Sequence, residues 1–344
     1  MAEIRLSSRA FFHNVDLLRE RIPPSCELAA VLKDNAYGHG LPEMARLCER
    51  AGIRSAFVKN SAEALQISPY FAEVSALYGD IECDLPSNIH LAVHSLEQIA
   101  QMPQNRSVEL KVDTGMYRNG IAMDELYQAL ELLRNRGIAL RGVMAHNGYG
   151  DDFGSEFFTQ CRRFDEVRGI VLQYVSRHAL AIPRFHSLSS SGMFRSKKEG
   201  IKDDLVRVGI ALYGYLCADS RVVGEVDLRP ILSLWAKKIT TKKLAQGSRI
   251  GYSGVSTLER EARVSTYDLG YGDGFPRLRE EQSLMSAEGE QILPRASMDC
   301  MSVLGEHNEI CVMRDARYVA ECFGTIPYEI LVHLSPFLPR AIVE

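Results

Sequence analysis

The sequence predicts an α/β protein in two parts, and three observations carry that prediction. From the N-terminus to about residue 222, short apolar runs alternate with amphipathic helical patterns, the order of repeated βα units around a parallel sheet. After about residue 225, β-branched and aromatic runs such as Arg263–Leu269 and Glu309–Met313 alternate with Gly, Pro and Ser turns, which predicts a mainly β second domain. The length, 344 residues, is too great for one ordinary core and suits a barrel plus a smaller domain.

In the first part the predicted strands are Leu28–Leu32, Ala56–Val58, Ser75–Tyr78, Val108–Val112, Leu140–Ala145 and Arg184–Leu188. Between them, Asp124 to Arg136 has helical spacing, with Asp124 as N-cap and Gly137 as C-terminal stop. Ser95 followed by Gln98 reads as a capping box. Such units close into an eight-stranded barrel or stay an open doubly wound sheet, and periodicity does not choose between them. No G-x-G-x-x-G follows the first strands, which disfavours the open dinucleotide fold.

Composition narrows the function classes. The chain is 46% hydrophobic and 24% charged, values of an average globular protein, and its net charge is -4. The pairs Lys197-Lys198 and Lys242-Lys243 are too short to track phosphates, so no nucleic-acid partner is expected. The opening MAEIRLSSRAFF lacks an unbroken apolar stretch and no run is long enough to span a bilayer, so neither export nor a membrane partner is expected. Cys26, Cys48, Cys83, Cys161, Cys217, Cys300, Cys311 and Cys322 are scattered without C-x-x-C or nearby His, which predicts mostly buried reduced thiols in the cytoplasm, with no disulfide framework and no metal.

The chemistry begins at Lys33. The apolar run Cys26–Leu32 places this cation at a strand's C-terminal edge, where the loops of parallel barrels build active sites, and a desolvated lysine forms Schiff bases. The string AVLKDNAYGHG around it resembles the cofactor-lysine motif of alanine racemases, departing at Asp34, where the family more often has a small residue. By that resemblance Lys33 carries pyridoxal 5'-phosphate as an imine, and Tyr37 contacts the phosphate.

Further strings fall in the family's order along almost the whole chain. Lys111–Arg118 is similar to the segment in which an arginine, here Arg118, touches the cofactor's phenolic oxygen and the substrate, oriented by a lysine that is often carbamylated, here Lys111. Phe185–Gly192 resembles a phosphate-binding segment, reading Ser189-Ser190-Ser191 where the family usually has Asn-Ser-Ala; Ser190 would contact phosphate and His186 would support a neighbouring arginine. Asp204–Gly214 is similar to D-x-V-R-x-G-I-x-L-Y-G, which puts Arg207 at the pyridine nitrogen and the Gly209 and Ile210 backbone near phosphate. An arginine only donates, so the ring nitrogen beside it stays unprotonated and the ring is a weaker electron sink, which restrains transamination. His146 and Tyr328 are implied as further cofactor contacts, and Tyr271, Met298 and Asp299 as substrate-binding groups.

Racemisation needs a proton-handling group on each face of a planar carbon. The resemblance assigns Lys33 to one face and Tyr252, in Arg249–Gly254, to the other. It implies a fold with an N-terminal (β/α)8 TIM-like barrel over 10–224 and a mainly β C-terminal domain over 225–344, strand 1–9 being able to pack with the latter. It also implies a homodimer with shared active sites, and D-alanine made for peptidoglycan. The rivals are racemisation of another small amino acid such as serine, a barrel-type decarboxylase, whose Gly-Gly-Gly and Glu-Pro-Gly-Arg signatures are absent, and a non-catalytic cofactor carrier resembling the barrel alone.

Overall fold

The computed structural model describes residues 1–79 and 84–344, so Cys83 lies outside the described residues. By contact the chain divides into a barrel unit, Phe12–Lys33 with Met44–Leu228, and a β unit, Met1–Phe11 with Asp34–Glu43 and Arg229–Glu344. The first strand, β1 (Glu3–Ser7), belongs to the β unit.

Eight strands form the barrel unit: β2 (Glu27–Val31), β3 (Ser55–Val58), β4 (Glu73–Ala76), β5 (Ile89–Val93), β6 (Ser107–Lys111), β7 (Ala139–Met144), β8 (Arg184–His186) and β9 (Leu205–Val208). They pair side by side, all parallel, in the order β8-β7-β6-β5-β4-β3-β2-β9. The sheet's two ends meet, because the Asp204 N–H donates to Phe185 O at 2.8 Å and the Arg207 N–H to Leu188 O at 3.1 Å. Side chains complete this seam: Asp204 Oδ2 accepts from the Phe185 N–H (2.6 Å), and Asp203 Oδ2 from those of Ser187 (2.5 Å) and Leu188 (2.9 Å). These N–H groups would otherwise be left without the ladder partner that a buried backbone donor needs. The closed barrel is thus the alternative adopted, and the open sheet is excluded.

Local elements differ from the sequence reading in small, explicable ways. Asp124 does not cap its helix; it sits inside a 3-10 turn, Met123–Glu125, and the α-helix Leu126–Asn135 begins after it. Gly137 ends that helix with φ +66°, the left-handed residue such a terminus favours. Ser95 caps its helix by accepting from the Gln98 N–H at 3.2 Å, while Gln98 Oε1 reaches one residue further back, to the His94 N–H at 2.7 Å. Of the seven described cysteines, Cys26, Cys48 and Cys311 are buried and the others half-buried, so the thiols are less buried than composition predicts; all seven are free.

The β unit is organised on β10 (Leu232–Leu244). Its first half lies between β1 and the strand Glu309–Met313, and its second half pairs with Ala262–Tyr267. The run Met301–Leu304, Gln291–Leu293 and Leu284–Met285 extends that side, and Arg340–Val343 pairs with β1 in parallel. Burial alternates along the first half of β10, with Leu232, Leu234 and Ala236 in the core, as a strand with one covered face requires. Among the described residues no helix is long and apolar enough to cross a membrane.

Candidate active site

The lysine at the end of β2 is followed by an unusual backbone. The Leu32 N–H donates to Phe57 O at 2.8 Å, so the ladder runs to the residue before Lys33. Asp34, Asn35, Ala36 and Tyr37 then all have φ between +52° and +55°, one turn of left-handed helix. Such a turn costs roughly 1–2 kcal/mol per L-residue, and only Asp and Asn adopt it with ease. Asp34, the departure from the family motif, is therefore suited to its position.

Ala36 and Tyr37 must be held there. Gly38 N–H donates to Asp34 O (3.2 Å), Gly40 N–H to Asn35 O (3.0 Å) and Leu41 N–H to Asn35 Oδ1 (2.8 Å). Arg340 Nη2 donates to Gly38 O at 2.8 Å. A Cβ on Gly38 would fall 1.9 Å from Leu331 O, so glycine is required by both space and φ. The Tyr37 ring packs 5.9 Å from that of Tyr328, which brings these two predicted phosphate contacts together within the β unit.

In the barrel unit, strand ends assemble a cluster of cations. Lys111, at the end of β6, is only 4% exposed, and its Nζ donates to Asn119 Oδ1. Burial, then the charges of Arg118 and Arg207, push its pKa down to about 7 against the opposing pull of Asp113, and Lys33 adds to the effect. Burial, then Arg207, Arg118, Lys111 and Lys33, push His146 down to about 3. Lys33, Lys111, Arg118, His146 and Arg207 are therefore close enough to feel one another's charge. Arg118 is carried on a loop shaped by Asp113, whose Oδ1 accepts from the N–H groups of Gly115 (2.8 Å), Met116 (3.0 Å) and Tyr117 (3.2 Å).

Ser190 is buried and its Oγ accepts from the Gly209 and Ala211 N–H groups at 3.2 and 3.4 Å, which gathers Ser190 and the Gly209-Ile210 backbone at the end of β9. A self-repelling cation cluster beside a buried hydroxyl and converging amides suits an anionic ligand, so these residues fit a phosphate-bearing cofactor. Among the described residues no group of three or more His, Cys, Asp or Glu side chains is placed to hold a metal ion.

Beneath this cluster runs a buried polar network that sequence reading missed apart from His186 and Arg207. Arg207 Nη1 donates to His186 Nδ1 (2.5 Å) and to His186 O (2.9 Å), and Nη2 to Ala145 O (2.6 Å). His186 Nε2 faces Glu109 Oε2 at 3.0 Å. Glu109 also accepts from Ser75 Oγ (3.0 Å) and Arg184 Nε (3.1 Å), and Arg184 Nη1 reaches Glu73 at 2.5 Å. Burial would raise the Glu109 carboxyl, but Arg184 and His186 hold it well below the usual carboxylate range. Burial pushes His186 down to about 4 and Arg207 down to about 10. The available signal was alternation: Glu109 lies two before Lys111, Arg184 two before His186 and Glu73 two before Ser75, so each pair shares one face of its strand.

In the β unit, Tyr252 and Tyr271 both lie near Arg277, whose guanidinium is 5.9 Å from the first ring centre and 5.6 Å from the second. Tyr271 N–H donates to Ser297 O (3.3 Å) and Gly272 N–H to Met298 O (2.8 Å), so Tyr252, Tyr271 and Met298 form one patch, with Asp299 next in the chain. The patch is open: Tyr252 is 58% and Met298 54% exposed, and Asp299 is exposed too.

Comparisons with known proteins agree along the whole chain. The family model of the alanine racemase N-terminal domain matches residues 6–217 and that of the C-terminal domain residues 231–342. Alanine racemases from a Nitratiruptor species and from Campylobacter concisus are 39% and 36% identical, each aligned over 100% of both chains. The crystal structure of alanine racemase from Bacillus anthracis with bound L-Ala-P superposes with TM-score 0.86 at 26% identity, over 100% of this chain and 95% of that one. Alanine racemase from Bartonella henselae with covalently bound pyridoxal phosphate matches in fold, with TM-score 0.79 at 23% identity over 100% and 99% of the two chains.

The matches define the class first: an isomerase built on a closed α/β barrel with a β domain appended. With both family models spanning it and relatives aligned end to end, the chain belongs to the alanine racemase family.

Proposed function

We propose that this chain interconverts L- and D-alanine, with pyridoxal 5'-phosphate bound through Lys33. The cation cluster of Lys33, Lys111, Arg118 and Arg207 around the neutral His146 carries this reading, because it presents a lysine at a barrel strand end inside an environment that calls for an anion. When bound, the cofactor supplies an electron-withdrawing ring that acidifies the substrate's α-proton.

The protein's own groups do the rest. Ser190, the Gly209 and Ile210 amides, Tyr37 and Tyr328 would hold the phosphate; Arg207 would donate to the ring nitrogen and His146 would contact the cofactor. Lys33 takes or returns the α-proton on one face and Tyr252 on the other. Arg118, Tyr271, Met298 and Asp299 receive the amino acid's carboxylate and shape its access path. Lys111, with its pKa near neutrality, has enough free amine to add carbon dioxide as a carbamate, which would turn a repelling cation into an anionic partner for Arg118.

The open patch of Tyr252, Tyr271 and Met298 supports a head-to-tail homodimer in which the β domain, 225–344, completes the site on the partner's barrel, 10–224. The product D-alanine would serve peptidoglycan synthesis in the cytoplasm. Borohydride trapping followed by peptide mapping tests the anchor: label on Lys33 is expected, and label on another lysine overturns it. Incubation with L-alanine tests the reaction, D-alanine without carbon dioxide being the expected outcome.

A further inference from the structure

Glu109 is a fully buried carboxylate to which neither the motifs nor the proposed reaction gives a task. Both its oxygens are engaged: Oε1 accepts from Ser75 Oγ and Arg184 Nε, and Oε2 faces His186 Nε2 at 3.0 Å. Arginine can only donate, so the Arg207 Nη1 group 2.5 Å from His186 Nδ1 obliges that nitrogen to accept. The proton of the neutral ring then sits on Nε2, pointed at Glu109. A carboxylate on β6, an imidazole on β8 and a guanidinium on β9 thus form one directional chain.

Resting on the reading of Arg207 as donor to the cofactor's ring nitrogen, we propose that Glu109 is a positioning residue for racemisation: by accepting the His186 Nε2 proton it keeps Nδ1 an acceptor and so aims Arg207. Two observations separate this from mere charge balance. Glu109 uses its two oxygens on different partners, Oε1 on Arg184 and Ser75 and Oε2 on His186 Nε2, so the contact to the imidazole is separate from the ion pair with Arg184. Strand β7 also makes room for the carboxylate, since a Cβ on Gly142, opposite Glu109 in register, would fall 1.9 Å from Oε2.

Glu109→Gln inverts the donor order while keeping the shape. Arg184 and Ser75 both donate toward Oε1, so the amide oxygen must face them and its NH2 must face His186. Nε2 then has to accept, the ring proton moves to Nδ1, and it meets the Arg207 N–H as donor against donor. Misaimed, Arg207 no longer keeps the ring nitrogen unprotonated, and more alanine transfers its amino group to the cofactor's aldehyde carbon and leaves as pyruvate.

The test is 15N NMR of histidine-labelled protein as purified, with kinetics on the same samples. In the wild type His186 should be neutral with its proton on Nε2, and in Glu109→Gln on Nδ1. In the variant kcat should fall about 10- to 100-fold with KM within about twofold, and pyruvate formed per racemisation event should rise. Ser75→Ala, which removes one hydrogen bond on Oε1 and a long one from Arg184 but leaves Oε2 and His186 untouched, should keep both the tautomer and kcat.

A wild-type His186 protonated on Nδ1, or on both nitrogens at neutral pH, overturns the proposal whether or not the variant folds. So does a Ser75→Ala variant that copies Glu109→Gln, or a Glu109→Gln enzyme of unchanged kcat. A wild type that does not racemise alanine sinks the functional reading and the positioning role with it, whereas an active enzyme whose tautomer does not depend on Glu109 sinks the positioning role alone.

Discussion

The barrel interior and the open patch of the β unit hold the two proposed proton carriers in opposite ways. Within the barrel unit Lys111 and Arg207 are buried, and Arg207 is tied through the buried His186 to the buried carboxylate of Glu109. Around Tyr252 the groups are exposed, and a single cation, Arg277, lies near two rings. A buried network holds geometry because every unpaired member would be costly, whereas an exposed aromatic patch acquires its environment from whatever covers it. One half of the proposed chemistry is therefore set by folding and the other half, on the proposed homodimer, by assembly.

That contrast can be broken in order of expected effect. Lys33→Ala should lower racemase activity by roughly 10^4-fold or more, measured as D-alanine formed, because it removes both the proposed anchor and the proposed base. Tyr252→Phe should cost roughly 10^2- to 10^4-fold, with α-proton exchange in deuterated water lost preferentially from one enantiomer, yet should move the thermal midpoint by less than about 0.5 kcal/mol equivalent. Glu109→Ala should act on stability as well, destabilising the fold by about 3–5 kcal/mol in denaturant titrations by leaving Arg184 and His186 facing an empty site.

Acid sharpens the comparison further. His39 and His146 are pushed down to about 3 and His186 to about 4, burial being the main cause for each. Their folded values lie below the unfolded value, so between about pH 6.5 and 4 the unfolded chain binds more protons than the folded one. Stability should fall through that window as pH drops, and His186→Gln should flatten the curve, whereas Tyr252→Phe should leave its slope unchanged. Lys111 works at the other end: depressed to about 7, it adds stability as pH rises from there toward its ordinary value, so Lys111→Met should stabilise the fold more at pH 7 than near pH 10.

What can be read from the chain alone follows the same divide. Lys33 is legible only through the family motif its string AVLKDNAYGHG resembles, since an apolar strand ending in a cation is otherwise read as a solvated sheet edge, whereas the runs that become β10's partners are legible as β-branched segments between turns. The strand Ile89–Val93 is not, because a short apolar run is ambiguous between helix and strand. Glu109, Arg184 and Glu73 are traceable only by alternation with Lys111, His186 and Ser75, for another reason. A charge inside a strand reads as a solvated edge until closure puts it in an interior, and closure is a tertiary fact. The left-handed turn is hidden too, since Ala36 and Tyr37 carry no sign of positive φ; their conformation is imposed by Gly38, Arg340 and the ring of Tyr328.

The last gap of the barrel is fastened differently from the others. Most of its staves are joined by the repeating main chain, which only a proline interrupts, but part of the joint between β8 and β9 is delegated to Asp203 and Asp204. Two codons thus bear on whether the ring stays shut, and they sit in the loop leading to Arg207. Replacing either carboxylate would act first on β9, the strand that carries Arg207.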